Sequence, residues 1–72
     1  MSQYDILAYL ENNKNLFFTA EELSKHFDQN SNSIRMNLLK LRRRGFVNFK
    51  LLQSYRKDYY VYSYKKLNDL IF

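Results

Sequence analysis

The sequence predicts a small α+β domain, mainly α: three helices, a β-hairpin and a short final helix. Three observations predict it. The first is a long helix with a marked start and stop, residues 31–44, running from Ser31 to Arg44. Asn30 and Ser31 suit an N-cap, where a side-chain oxygen accepts the unpaired N–H groups of the first turn. Gly45, the single glycine, stands where a helix exit in the left-handed conformation is wanted. The second is a capping-box signature at Thr19–Glu22, which opens another helix just upstream. The third is a change of apolar period after Gly45, from helical spacing to alternation.

Taken in order, Ser2 with Asp5 three residues on is a weaker capping box. Ile6, Leu7 and Leu10 follow at helical spacing, so the first helix runs to about Glu11. Asn12 to Asn15 is a polar break. Leu16, Phe17 and Phe18 form a short apolar run, a short strand or an extended plug. The second helix spans about Ala20 to Phe27, with Leu23 and Phe27 facing inward. Asp28, Gln29 and Asn30 connect it to the long helix, and Asn30 is the expected residue with positive φ there. A short capped helix, a tight turn and a longer capped helix make a helix-turn-helix unit.

In the long helix Ile34, Leu38 and Leu41 fall at i, i+4 and i+7 on one face, which must be buried. The opposite face carries Asn32, Ser33, Met36, Lys40 and Arg43, with Arg35 and Leu39 at its edge. Arg42, Arg43 and Arg44 crowd the last turn, where cations suit the negative end of the helix dipole. Val47, Phe49 and Leu51 then alternate, residues 53–58 are polar and turn-like, and Tyr59 to Tyr64 are again strand-forming. Ser63 can cap a final helix in which Leu67, Leu70 and Ile71 line up.

Length and charge bound the function. Seventy-two residues make one domain, 1–72, small enough to need a dense core. Residues 1–28 hold five of the seven acidic side chains against Lys14 and Lys25. Residues 29–72 hold ten of the twelve Lys and Arg against Asp58 and Asp69. A field this one-sided favours a polyanion as partner. Cysteine is absent, the one histidine (His26) cannot form a metal site by itself, and no apolar run reaches membrane-spanning length. With no signal peptide visible, a cytoplasmic protein is the simplest expectation. No catalytic constellation, cofactor site or small-molecule site can be assembled, so an enzyme is not expected. His26, Glu21 and Glu22 are read as ordinary surface or helix-end residues.

The residues from Phe18 to Leu23, from Ser33 to Val47 and from Tyr60 to Leu67 resemble the winged helix-turn-helix superfamily, in particular small MarR- or ArsR-like transcriptional regulators. The likeness spans nearly the whole chain, although many such proteins have a glycine near Lys66 and this one does not. Winged helices that bind left-handed duplexes carry an Asn and a Tyr where this chain has Arg35 and Leu39, and a Pro-rich wing where this chain has no Pro. The resemblance implies sequence-specific binding of double-stranded DNA. Helix 31–44 would then enter the major groove, with the 53–58 wing on the flanking backbone or minor groove. Arg35 and Lys40 would donate to guanine, Asn32 and Asn37 would pair with adenine, and Met36 would touch a thymine methyl. Ser31 and Ser33 complete the polar start of the helix. Thr19 with the first N–H groups of its helix would hold a phosphate, as would Arg42, Arg43 and Arg44, with Arg43 the best placed of the three. Tyr55, Arg56 and Lys57 would form the wing tip. A homodimer built on the exposed aromatics and the Leu67, Leu70, Ile71 and Phe72 end is expected. A protein-interaction module or an RNA binder are the alternatives.

Overall fold

The structure is a computed structural model that describes residues 2–65. The elements run α1 (Gln3–Asn12), β1 (Phe18–Thr19), α2 (Ala20–Phe27), α3 (Ser31–Arg44), β2 (Val47–Gln53) and β3 (Asp58–Tyr64). The sheet is antiparallel in the order β1-β3-β2. Three helices and a three-stranded sheet in this order are a winged-helix α+β fold. No helix among the described residues is long and apolar enough to cross a membrane.

Local chemistry sets the helix boundaries. Both capping boxes form: Ser2 with Asp5 opens α1, and Thr19 with Glu22 opens α2. Asn30 caps α3 by accepting the Asn32 N–H at 2.7 Å. At the far end Gly45 turns left-handed at φ 76°, and its N–H and that of Phe46 close on the Arg42 and Leu41 carbonyls. The residue with positive φ between α2 and α3 is Asp28 (φ 54°), not Asn30, whose φ is −61°. The correction has a simple cause. An N-cap residue needs extended backbone to aim its side chain at the helix start, so Asn30 cannot also make the left-handed turn. Asp28 tolerates that conformation and takes it.

The core lies where the three helices meet one face of the sheet. Ile6, Leu10, Leu23, Ile34, Leu38 and Leu41 are fully buried there, joined by Ala20, Val47 and Tyr62. The register pairs Val47 with Tyr64, Phe49 with Tyr62 and Leu51 with Tyr60, so these six side chains share the helix-facing side. Of the alternating trio in β2 only Val47 is buried; Phe49 and Leu51 stay exposed because the hairpin runs on past the edge of the helical layer. In β3 three consecutive residues, Val61, Tyr62 and Ser63, are buried. β3 is the central strand, so on the face away from the helices Val61 is flanked by Thr19 and Lys50, and Ser63 by Asn48. Ser63 therefore lies inside a strand, opposite Asn48, and is not a helix cap. The segment with Leu67, Leu70, Ile71 and Phe72 lies outside the described residues. Of the run Leu16–Phe18 only Phe18 enters the sheet, and Leu16 and Phe17 are exposed.

Gly45 offers a clean test of the α3 exit. A Cβ added there would meet nothing within 4 Å, so any cost is that of the backbone conformation itself. Gly45→Ala should destabilise the protein by about 1–2 kcal/mol. Gly45→Asn should cost clearly less, because Asn visits the left-handed region more readily. Urea unfolding of the two variants side by side gives the comparison.

Candidate nucleic-acid interface

Burial of Ile34, Leu38 and Leu41 turns the opposite side of α3 outward. Asn32, Ser33, Met36, Lys40 and Arg43 are all exposed on it, and Asn37 is half-buried at its margin. Gln29, Asn32, Ser33, Met36 and Asn37 border one shallow depression near the helix start. Ser31 is half-buried at the first turn. Met36 is 55% exposed, although nothing about a wetted surface calls for a long apolar side chain. Residues 31–44 contain no acid, so the outward face offers amide, hydroxyl and cationic groups plus one thioether.

The three arginines of the last turn have different surroundings. Arg42 lies half-buried across the hairpin, its guanidinium 3.8 Å from the centre of the Phe49 ring and 5.1 Å from that of Tyr60. Arg44 donates to the Tyr4 hydroxyl at 3.1 Å. That phenol is held below its ordinary pKa by a hydrogen bond from Gln3 and by the bond and charge of Arg44. Arg43 is exposed and has no hydrogen bond or ion pair among the described residues.

The wing is more compact than the polar run of residues 53–58 implies. Gln53 and Asp58 still pair, and the loop is only Ser54 to Lys57. Ser54 closes it: its N–H donates to the Lys57 carbonyl at 3.2 Å, and its hydroxyl accepts the Lys57 N–H at 3.2 Å. Tyr55 at the tip is fully exposed, beside exposed Arg56 and Lys57. Between α3 and this hairpin runs a groove lined by Arg35, Met36, Arg42, Lys57, Tyr59 and Tyr60, among others. The fold thus brings the outward flank of α3 and the wing to one concave side.

Two side chains behave differently from the sequence expectation. Arg35 Nη2 donates to Glu21 Oε1 at 2.8 Å, and Arg35 Nη1 donates to Asn32 Oδ1 at 3.3 Å. Glu21 is therefore a partner of the outward face and not a bystander. Thr19 has spent its capping groups: its N–H donates to Glu22 Oε1 at 2.8 Å and its hydroxyl accepts the Glu22 N–H at 3.0 Å. With the Glu22 carboxylate on the helix start, a phosphate there would face like charge. The expected phosphate role of Thr19 finds no support in this geometry. The sequence marked Arg42 only as a helix-end cation, Glu21 only as a surface or helix-end acid, and Phe49 and Tyr60 only as strand residues, because the contacts they make lie between elements.

No family model and no curated protein sequence matches the chain. Among solved structures it is similar to Stf76 from the Sulfolobus islandicus plasmid-virus pSSVx. The two are 25% identical, the match covers 97% of this chain and 90% of that one, and the TM-score is 0.72. The likeness therefore extends over both helix layer and wing, and it agrees with a small fold of the DNA-binding kind.

The Arg42 stack predicts a coupling between helix and wing. Arg42→Ala should lower stability by about 0.5–2 kcal/mol, the range for a cation over aromatic rings. The loss should show as faster amide hydrogen exchange in residues 47–64, with the exchange of α1 changed less.

Proposed function

We propose that this protein binds double-stranded DNA sequence-specifically, as a small transcriptional regulator of the winged-helix kind. α3 enters the major groove and the wing grips the flanking backbone or minor groove. The observation that carries this reading is the two-sided α3: sealed inward by Ile34, Leu38 and Leu41, and acid-free outward. Lys57 of the wing, on the same groove as Arg35 and Met36, supports it. Asn32 and Asn37 are the candidates for adenine, Lys40 and Arg35 for guanine, and Met36 for a thymine methyl. Arg43, Arg56 and Lys57 hold phosphates and set the register without reading sequence.

A MarR- or ArsR-like homodimer in the cytoplasm is the finer form of the proposal. A pair of related half-sites would double the contacts that one short helix can make. Exposed Leu16, Phe17 and Leu51 favour a second reading, a winged helix that docks on another protein.

Selection of bound duplexes from a random pool tests the main reading. A defined motif should emerge, with affinity that falls steeply as salt rises. Arg43→Ala should weaken all duplexes about equally and reduce the salt slope by about 0.9. Lys40→Ala should instead relax one position of the motif, at about 1–3 kcal/mol. No motif and flat salt dependence would point to a protein partner, and a preference for A-form duplex to RNA. Sedimentation that shows monomer at every concentration, with and without DNA, would remove the dimer.

A further inference from the structure

The ion pair between α2 and α3 adds little to the stability of the fold. Both side chains are 51% exposed, and an exposed pair of this kind shifts an equilibrium only a few-fold. Its position gives it meaning. Arg35 sits on the groove between α3 and the wing, and Glu21 borders that same groove. The first turn of α2 thus sets a carboxylate against an arginine at the edge of the proposed base-reading surface. Asn32, on that surface, holds the other terminal nitrogen of the same guanidinium.

Resting on the DNA-binding reading above, we infer that Glu21 is a specificity-determining residue that filters what Arg35 can bind. The argument compares two acceptors. A phosphate is an anion, so to reach Arg35 it must approach or displace the Glu21 carboxylate, against like charge. The O6 and N7 of guanine are neutral acceptors and meet no such repulsion. Arginine has five N–H donors, and the contacts to Glu21 and Asn32 use two of them. The guanidinium can therefore stay tethered and still donate to a base edge. Glu21 makes Arg35 a poor phosphate clamp and a pre-aimed base reader. Nonspecific binding, which is almost wholly phosphate contact, bears most of the penalty.

Glu22 provides a matched control. It carries the same charge one residue on, but its carboxylate is turned back onto the Thr19 N–H. Gln fits the third position of a capping box, so Glu22→Gln keeps the helix start. The experiment measures affinity for the selected duplex and for a random duplex across a salt series, with wild type, Glu21→Gln and Glu22→Gln, and repeats Glu21→Gln on an Arg35→Ala background. Glu21→Gln should raise random-duplex affinity about two- to fivefold more than selected-duplex affinity. Its random-duplex salt slope should steepen by about 0.9, the mark of one added phosphate contact. Glu22→Gln should change both duplexes by the same factor, and on Arg35→Ala the Glu21 substitution should behave like Glu22→Gln. If wild type discriminates between duplexes but Glu21→Gln and Glu22→Gln leave the same ratio, the filter is overturned and the DNA-binding reading stands. If wild type binds no duplex, both fall together.

Discussion

Seating Ile34, Leu38 and Leu41 between α1, α2 and the sheet is the constraint on which the rest of this structure depends. Those three side chains are at zero exposure, and they fix the rotation of α3 about its own axis. A helix has 3.6 residues per turn, so fixing one face fixes the other. The outward set of Asn32, Ser33, Met36, Lys40 and Arg43 is presented because the inward set is locked. The caps complete the constraint. Asn30 defines where the rod begins and Gly45 lets the chain leave it sharply into β2.

The wing is tied to this rod from two directions. Through the backbone, Gly45 and Phe46 are the only residues between α3 and β2. Through side chains, Arg42 reaches from the last turn of α3 onto the rings of Phe49 and Tyr60. Phe49 lies beyond the helical layer and would otherwise be a bare aromatic ring on a projecting hairpin. Covering it with a guanidinium uses an apolar surface and a cation to satisfy each other. With Arg42 over these rings and Arg44 on the Tyr4 hydroxyl, Arg43 is the arginine of that turn with no hydrogen bond or ion pair among the described residues. Helix and wing therefore present a concave surface whose two sides are held in fixed relation.

Charge is divided along the chain and again in space. The acids of residues 1–28 are not spread evenly over the helical layer. Glu21 and Glu22 stand together at the start of α2, where the helix dipole favours them, and Glu21 borders the groove beside α3. One of them closes the cap and the other pairs with Arg35. The stabilisation of α2 and the electrostatics of the outward face are therefore joined through adjacent side chains. A basic protein with acids placed at the margin of its basic surface differs physically from one that is uniformly basic.

Much of the fold was legible in the residues. Each helix carries its own boundary signals within a few positions, so α2 and α3 could be placed by caps and apolar spacing, and the hairpin by its change of period. The alternation in β2 assigned Val47, Phe49 and Leu51 to one side correctly, but it could not tell that only Val47 would meet the helices. Burial depends on how far the helical layer extends, and no local pattern encodes that length. The polar side of α3 was legible too, as the complement of its apolar side.

By itself the sequence determined where the three helices lie and are capped, that a hairpin follows Gly45, and which side of α3 turns to solvent. Those properties arise from interactions among residues a few positions apart. Only the tertiary structure decided that Arg42 serves the wing, that Arg44 meets Tyr4, that Arg35 is held by Glu21 and that Asp28 makes the turn. The three arginines pair with residues distant in the chain, and Asp28 makes the turn because Asn30 is committed to capping α3. The choice among near-identical arginines is made by which partner the packed helices and sheet bring within a few ångströms.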